Sequence, residues 1–231
     1  MSVSICMAVH NGAPFIGEQL RSILPYLDNN DELILSDDGS EDNTLDIVKQ
    51  ANDPRIKVYA DRKFGYPSGN FEYALSHCNN ELIFLADQDD VWYPQKISVM
   101  TKELASSDLV VCDCRLVDQG GVALLDSFFL ENSSQPGLIK NLLRNSFVGC
   151  CMAFHRKLLS KVLPFPAGIT MHDQWIGLIA MRHFSVKFIP QILVDHRRHN
   201  DNYTSTGSRS KNSWNKKVIS RLQLAKAIWQ H

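Results

Sequence analysis

The sequence predicts an α/β domain with a mostly parallel central sheet flanked by helices. Three observations carry that prediction. Strand-like and helix-like stretches alternate four times within the first 105 residues. The strand-like stretches are continuous apolar runs, as strands buried on both faces require. Finally, 231 residues with 44% hydrophobic and 21% charged side chains suffice for one large core. The same composition excludes a disordered chain, a collagen-like repeat and a disulfide scaffold.

Each element follows from local chemistry. Residues 3–9 form a short apolar run, the first expected strand. Pro14 opens a helical pattern through Phe15, Gln19, Leu20, Ile23 and Leu24. Residues 32–36 read as a second strand, and Asn43 as the cap of a helix reaching Ala51. Strand 55–60 and helix 68–78 follow, the latter with Phe71, Ala74 and Leu75 on one face. A fourth strand spans 82–86. Pro94 suits the first turn of the next helix, and 109–112 reads as a fifth strand. Beyond Gly120 the pattern loosens. Residues 128–137 look like a loop, 139–143 a short helix, 147–154 an apolar segment broken by Gly149, 173–183 a helix, and 186–194 a strand broken by Pro190. Residues 207–212 read as a polar linker.

The net charge of -1 hides a division. Residues 1–100 carry 16 acids and 7 bases, a net of -9, whereas residues 101–231 carry 9 acids and 17 bases, a net of +8. The N-terminus has no basic segment followed by a long apolar one, so no signal peptide is expected. No apolar run is long enough to span a membrane. Six cysteines, none in a C-x-x-C pair, read as buried thiols of a reducing, cytoplasmic compartment. There is no Walker loop, G-x-G-x-x-G or G-x-S-x-G, and no zinc-ligand spacing. Nucleic acid is not an expected partner.

In parallel sheets ligands bind beyond the carboxyl ends of the strands. His10-Asn11 and two acidic clusters fall at such ends. Asp87-Gln88-Asp89 sets two carboxylates two residues apart, a donor set suited to Mg²⁺ or Mn²⁺ held together with phosphates. Many exposed acidic triples do nothing of the kind, but this one lies between an apolar strand and Val91-Trp92. Asp37-Asp38-Gly39-Ser40 reads equally as a turn, with Gly39 at positive φ, or as a carboxylate that accepts a pyrimidine N–H.

Taken together and in order, Ser4–Gly12, Asp37-Asp38-Gly39-Ser40 and Asp87-Gln88-Asp89-Asp90-Val91-Trp92 resemble the family 2 inverting glycosyltransferases of GT-A fold. The resemblance spans about residues 2–203, and includes His172-Asp173-Gln174-Trp175 and His196-Arg197-Arg198-His199 with Asn202. It implies a GT-A-like domain over 1–206, with a Rossmann-like nucleotide-sugar-binding half (1–115) and an acceptor-binding half (116–206). Asp38, helped by Asp37, would contact the nucleobase, with Ala8, His10 and Glu18 lining the nucleoside pocket. Asp61, Arg62, Asn70 and Phe71 match the segment bordering the nucleoside. Asp87 would hold the ribose or the edge of the metal, and Asp89 the metal. His199 would bind metal or diphosphate, assisted by Arg197 or Arg198. Asp173 would be the general base. Gly149 and Cys150 match a loop near the acceptor, where His172 and Trp175 would also lie, although packing is the plainer role for Trp175. His172 departs from the family, which often has an acid there.

The chemistry implied is a single displacement. A carboxylate takes the proton of an acceptor hydroxyl as that oxygen attacks the anomeric carbon. A divalent ion and cationic side chains stabilise the leaving diphosphate. The form of the motifs is similar to bacterial rhamnosyltransferase-like members, which favours a dTDP-linked deoxysugar over a UDP-hexose donor. The acceptor would be a cell-surface polysaccharide or a lipid-linked glycan. Two other readings compete. A sugar-nucleotide-forming nucleotidyltransferase would need a basic Gly-rich loop after the first strand, and residues 10–14 hold no Lys or Arg. A non-catalytic nucleotide-sugar-binding protein could dispense with Asp173. Residues 207–231 contain six Lys or Arg and no acid, with Trp214, Val218, Leu222, Ala225 and Trp229 at helical spacing. Such a basic amphipathic helix either docks on the domain or touches the inner face of the cell membrane. The chain ends inside that helical pattern, as a piece of a longer protein would.

Overall fold

The computed structural model describes residues 1–199 and 214–230, and of the side chains between 214 and 222 only that of Arg221. Asn202, the expected linker 207–212, and the side chains of Arg209, Lys211, Trp214, Lys216, Lys217, Val218 and Leu222 lie outside the described residues.

The first seven elements alternate as expected: β1 (Val3–Val9), α1 (Ile16–Ile23), β2 (Glu32–Asp37), α2 (Thr44–Gln50), β3 (Ile56–Tyr59), α3 (Pro67–Ser76) and β4 (Leu82–Asp87). β2 is buried along its whole length and β1 and β4 nearly so, while the short β3 is partly exposed at the sheet edge. The strand order β3-β2-β1-β4 reverses direction at β1. The crevice between the carboxyl ends of β1 and β4 is therefore a topological switch point, where such sheets bind ligands. Register sets Ala8 beside both Ser36 and Asp87.

The rest of the chain comprises β5 (Val91–Trp92), α4 (Lys96–Leu104), β6 (Leu109–Val117), β7 (Ala123–Leu125), α5 (Phe128–Asn132), α6 (Leu138–Leu143), β8 (Met152–His155), α7 (Leu159–Val162), α8 (His172–His183), β9 (Val186–Arg197) and α9 (Trp214–Gln230). The full order is β3-β2-β1-β4-β8-β6-β9-β5, with β7 on β6. Among the described residues, β1, β2, β3, β4, β6 and β9 run one way, so six of nine strands are co-directional. α3 packs on β1 and β2, α1 on α2 and β5, and α4 on β6, β8 and β9. The fold is a mostly parallel sheet flanked by helices.

Several local expectations are corrected. Asn43 occupies the start of α2 without a capping bond; the Asp42 carboxylate accepts the Thr44 N–H at 3.0 Å instead. Residues 128–132 are helical, because the Ser127 hydroxyl caps Leu130 N–H at 3.1 Å and Asp113 accepts Phe129 N–H at 2.9 Å. Pro190 does not end its strand. β9 continues to Arg197 through a register shift that skips from Ile189 to Ile192 opposite Cys112 and Asp113, since a bulge tolerates the missing N–H. β8 enters antiparallel between β4 and β6. That direction sets the turn Gly149–Cys151 at the carboxyl end of β4.

All six cysteines are buried free thiols. α9 packs against α6 and α8, burying Leu224 and Ile228, while Trp229 is exposed with the Arg182 guanidinium over its ring. Among the described residues no helix is long and apolar enough to cross a membrane.

Candidate active site

A cavity of about 740 Å³ opens at the switch point. Its wall is built from the loop after β1, the turn after β2, the N-terminus of α3, the end of β4, the turn at Gly149, the start of α8 and the end of β9. Of the residues expected at the site, Ala8, His10, Asp38, Asn70, Asp87, Asp89, Gly149, His172, Asp173 and His199 line it, as does Phe71. The sheet register and the antiparallel entry of β8 bring these groups together from across the chain.

The acidic end of β4 is held from a distance. β5 pairs with β9, Val91 opposite Asp195 and Trp92 opposite Val194, which draws Asp89 and Asp90 against the end of β9. Asp90 Oδ1 accepts His196 Nδ1–H at 2.9 Å and Arg197 N–H at 3.0 Å. Burial opposes both charges of the Asp90–His196 pair, but their mutual attraction prevails: it lowers the Asp90 pKa and raises that of His196 well above its usual value. Burial, then the charges of Asp90 and Asp89, hold the Asp87 carboxyl well above the usual range. Between them, Gln88 clamps His10, accepting its N–H at 2.8 Å and donating to its carbonyl at 3.0 Å. A Cβ on Gly12 would lie 2.4 Å from that amide, so Gly12 is what lets the clamp close.

Two groupings can hold a divalent ion. Asp89 Oδ2 lies 2.7 Å from His199 Nε2 on the cavity wall, an oxygen and imidazole set that suits Mg²⁺ or Mn²⁺. Asp87, Asp90, Cys150 and His196 also present donor atoms within 4.8 Å of one another. In that cluster Asp90 Oδ1 is taken by His196 and Arg197 while Oδ2 has no partner among the described residues, and burial pushes the Cys150 thiol up, away from the ligating thiolate. Asp87, beside Asp89, and the second oxygen of Asp90 are the donors the cluster offers, and Asp87 would ligate an ion only on giving up the proton its raised pKa retains.

Asp173 stands in the first turn of α8, half-buried at the cavity wall. Withdrawal from water pushes its pKa up to about 6, against the lowering effect of the Gln174 N–H bonded to Oδ1 at 2.7 Å. The neighbouring His172 ring stacks on Phe71 at 3.8 Å, and burial lowers its pKa to about 3, so it is a neutral imidazole. A Cβ on Gly149 would fall 2.9 Å from His172 Nε2; glycine permits this approach.

Eight expected site residues do not line the cavity. Asp37 turns back to accept the Ser40 N–H at 2.9 Å and the Ser40 hydroxyl. Glu18 pairs with Arg197 at 2.7 Å. Arg197 also donates to Asp89 O at 2.9 Å and Gln119 O at 2.7 Å, so it braces the acidic loop instead of facing a diphosphate. Arg198 is held by its N–H on Val117 O at 2.7 Å. Asp61 accepts the Tyr73 hydroxyl at 2.9 Å, and Arg62 lies 4.6 Å over the Tyr73 ring. Cys150 is buried behind Gly149, its carbonyl accepting from Lys96 Nζ at 2.5 Å. Trp175 is fully buried and donates to Val162 O at 2.9 Å, a core residue and not an acceptor platform. Asp38 does face the cavity, but Oδ2 already accepts Gly65 N–H at 2.9 Å and Oδ1 the Phe64 N–H.

Among the cavity-lining residues outside the expected set are two basic side chains, His196 and Lys63. His196 lines the wall with its Nε2 buried and unpartnered among the described residues. Only its place in the basic segment hinted at this. Lys63 lines the mouth, its stem against Gly39, and no sequence signal marks it.

The switch-point cavity thus brings together strand-end carboxylates, imidazoles and a carboxyl whose pKa is pushed up to about 6. Residues 4–163 match the family model described as Glycosyl transferase family 2, and the chain belongs to that family. An uncharacterised glycosyltransferase of Rickettsia typhi is 26% identical, over 98% of this chain and 70% of its own length. A dTDP-rhamnosyl transferase of Shigella flexneri is 39% identical over 39% of this chain and 34% of its own. A UDP-glucose-dependent β-1,3-glucosyltransferase of Escherichia coli, acting on GlcNAc-diphosphoundecaprenol, is 25% identical over 81% of this chain and 72% of its own. TarS residues 1–349 of Staphylococcus aureus, solved with UDP-GlcNAc, superimpose with TM-score 0.74 at 19% identity, covering 97% of this chain and 66% of that one. A mannosyltransferase of Pyrobaculum calidifontis, solved with GDP-mannose and Mn²⁺, gives 0.67 at 21%, covering 98% and 64%. The chain spans between 34% and 72% of the length of these and other curated relatives.

Proposed function

We propose that the chain transfers a sugar, with inversion and with Mg²⁺ or Mn²⁺, from a nucleotide sugar to a hydroxyl of a polysaccharide or lipid-linked glycan. The observation that carries the reading is Asp173: a carboxyl with a pKa of about 6 facing a cavity that also holds Asp87, Asp89 and His199. At neutral pH Asp173 is ionised, yet basic enough to take a hydroxyl proton. His172, neutral beside it, supplies no charge that would depress that basicity. Asp89 and His199 would hold the ion, with Asp87 next to them. The ion would stabilise the leaving diphosphate, and His196, ion-paired with Asp90 through Nδ1, would offer Nε2 from the same wall. Ala8, Asn70 and Asp38, which line the cavity, would receive the nucleoside. A cavity of about 740 Å³ fits a ligand of that size.

The donor proposed first is a dTDP-deoxysugar, supported by likeness to the rhamnosyl transferase; a UDP-hexose is the alternative, supported by likeness to the glucosyltransferase. The lipid-linked acceptor of that glucosyltransferase supports a membrane-bound acceptor here. α9, with Lys226 and exposed Trp229, would meet the membrane surface. Thermal-shift screening of dTDP-rhamnose and UDP-glucose with Mn²⁺ tests the reading, because a ligand of the native state raises Tm. One donor should stabilise the wild type only with Mn²⁺ and should not stabilise Asp89→Ala. A shift that is the same without the ion, or in Asp89→Ala, removes the metal role.

A further inference from the structure

Beside the main cavity lies a second hollow of about 400 Å³. Its floor is the N-terminal turn of α3, and its far wall is the strap 163–171 between α7 and α8. Tyr66 and Thr170 line both cavities, so the two adjoin. The strap runs directly into α8, and Thr170 precedes Asp173 by three residues. The groups offered to the nucleotide, Ala8, Asp38, Asn70 and Asp87, line only the main cavity. The second hollow adjoins the main cavity where the strap leads into α8, and none of those four groups lines it.

Its lining is aromatic and polar, with no cation. The Tyr66 ring is 50% exposed and seated against Gly69, where a Cβ would come within 2.9 Å of the ring. Phe165 adds a second aromatic wall, fixed by its N–H on Glu72 Oε1 at 3.0 Å. Glu72 Oε2 takes no hydrogen bond among the described residues and remains an acceptor for a hydroxyl. The Ser68 hydroxyl, on Ile169 O at 2.7 Å, pins the strap to α3. Aromatic faces with a few polar groups suit a ring that is apolar on its faces and polar at its rim. No Lys, Arg or His lines the hollow, and Glu72 repels anions. A phosphate or a uronic acid does not fit.

We propose that this hollow is an acceptor subsite that binds an uncharged sugar ring one or more residues back from the hydroxyl being glycosylated. The acceptor is then an oligosaccharide chain, not a single sugar. The inference rests on the transfer reading above. Its test uses the methyl glycosides and corresponding trisaccharides of glucose, N-acetylglucosamine and rhamnose. Saturation-transfer NMR is recorded with UDP or dTDP and Mn²⁺ present. At least one trisaccharide should receive saturation on an inner ring. That signal should vanish in Ala167→Trp, which fills the hollow from an exposed strap position, and in Phe165→Ala. In transfer assays the same trisaccharide should exceed its methyl glycoside in kcat/KM by about tenfold in the wild type and lose that advantage in both variants. Absence of an inner-ring signal from every trisaccharide, or its persistence in Ala167→Trp, overturns the subsite. Such a result with donor turnover intact leaves the transfer reading standing. A wild-type protein that neither binds nor turns over dTDP-rhamnose or UDP-glucose fails the transfer reading itself.

Discussion

Two acidic turns, Asp37–Ser40 after β2 and Asp87–Asp90 after β4, look alike in sequence and flank the same strand β1. Their partners differ. Asp37 is satisfied three residues away by Ser40, and Asp38 by the Phe64–Gly65 turn. Asp89 and Asp90 find partners more than a hundred residues away, in His199, His196 and Arg197. The first turn holds nearby backbone, its own through Asp37 and that of Phe64–Gly65 through Asp38, and Asp38 also lines the cavity. The second concentrates opposed charges where water is excluded, which is the condition for shifting a carboxyl such as Asp87. Sequence shows acids at a strand end; distance to the countercharge decides whether they brace a turn or charge a cavity.

That contrast can be broken by substitution. Asp90→Ala removes one half of a buried pair and strands the His196 cation, so it should cost about 3–5 kcal/mol of stability by urea unfolding. A loss below about 1 kcal/mol would mean that the pair does not hold the loop. Gly149→Ala should displace His172 and with it Asp173, lowering kcat by about ten- to a hundredfold while donor affinity is kept; kinetics with saturating donor check this. Asp37→Asn weakens a local turn only. About 1 kcal/mol of stability should be lost, with donor affinity by calorimetry unchanged. A donor affinity lowered tenfold or more by Asp37→Asn would erase the distinction between the two turns.

Legibility in the sequence follows the same division. β1, β2 and β4 and the acidic turns after β2 and β4 could be read, because continuous apolar runs and the residues that end them are local signals. So could Asp173, by its motif. β5 could not, since two residues carry no period, yet its pairing with β9 assembles the wall that carries Asp89 and His199. α5 hid behind a polar stretch although Ser127 was a usable cap. Arg197 looked like a diphosphate ligand because its actual partner, Glu18, lies 179 residues away. Trp175 stands two residues from Asp173 but on the buried face of α8, and only the helix's packing tells the two faces apart.

The central claim is that Asp173 takes the acceptor proton, and Asp173→Asn tests it most directly. In the wild type, kcat/KM should rise with pH to a plateau above about pH 6, since only the ionised carboxyl accepts a proton. The raised pKa also means that ionising Asp173 costs folded-state stability, a cost absent below the usual carboxylate range and complete above about pH 6. Asn should therefore raise Tm at pH 8 and not at pH 4. The decisive measurement is transfer at pH 8 with saturating donor and Mn²⁺. Asp173→Asn should lose about a hundred- to ten-thousandfold in kcat with donor affinity unchanged. A variant that binds donor and turns over at the wild-type rate contradicts the account.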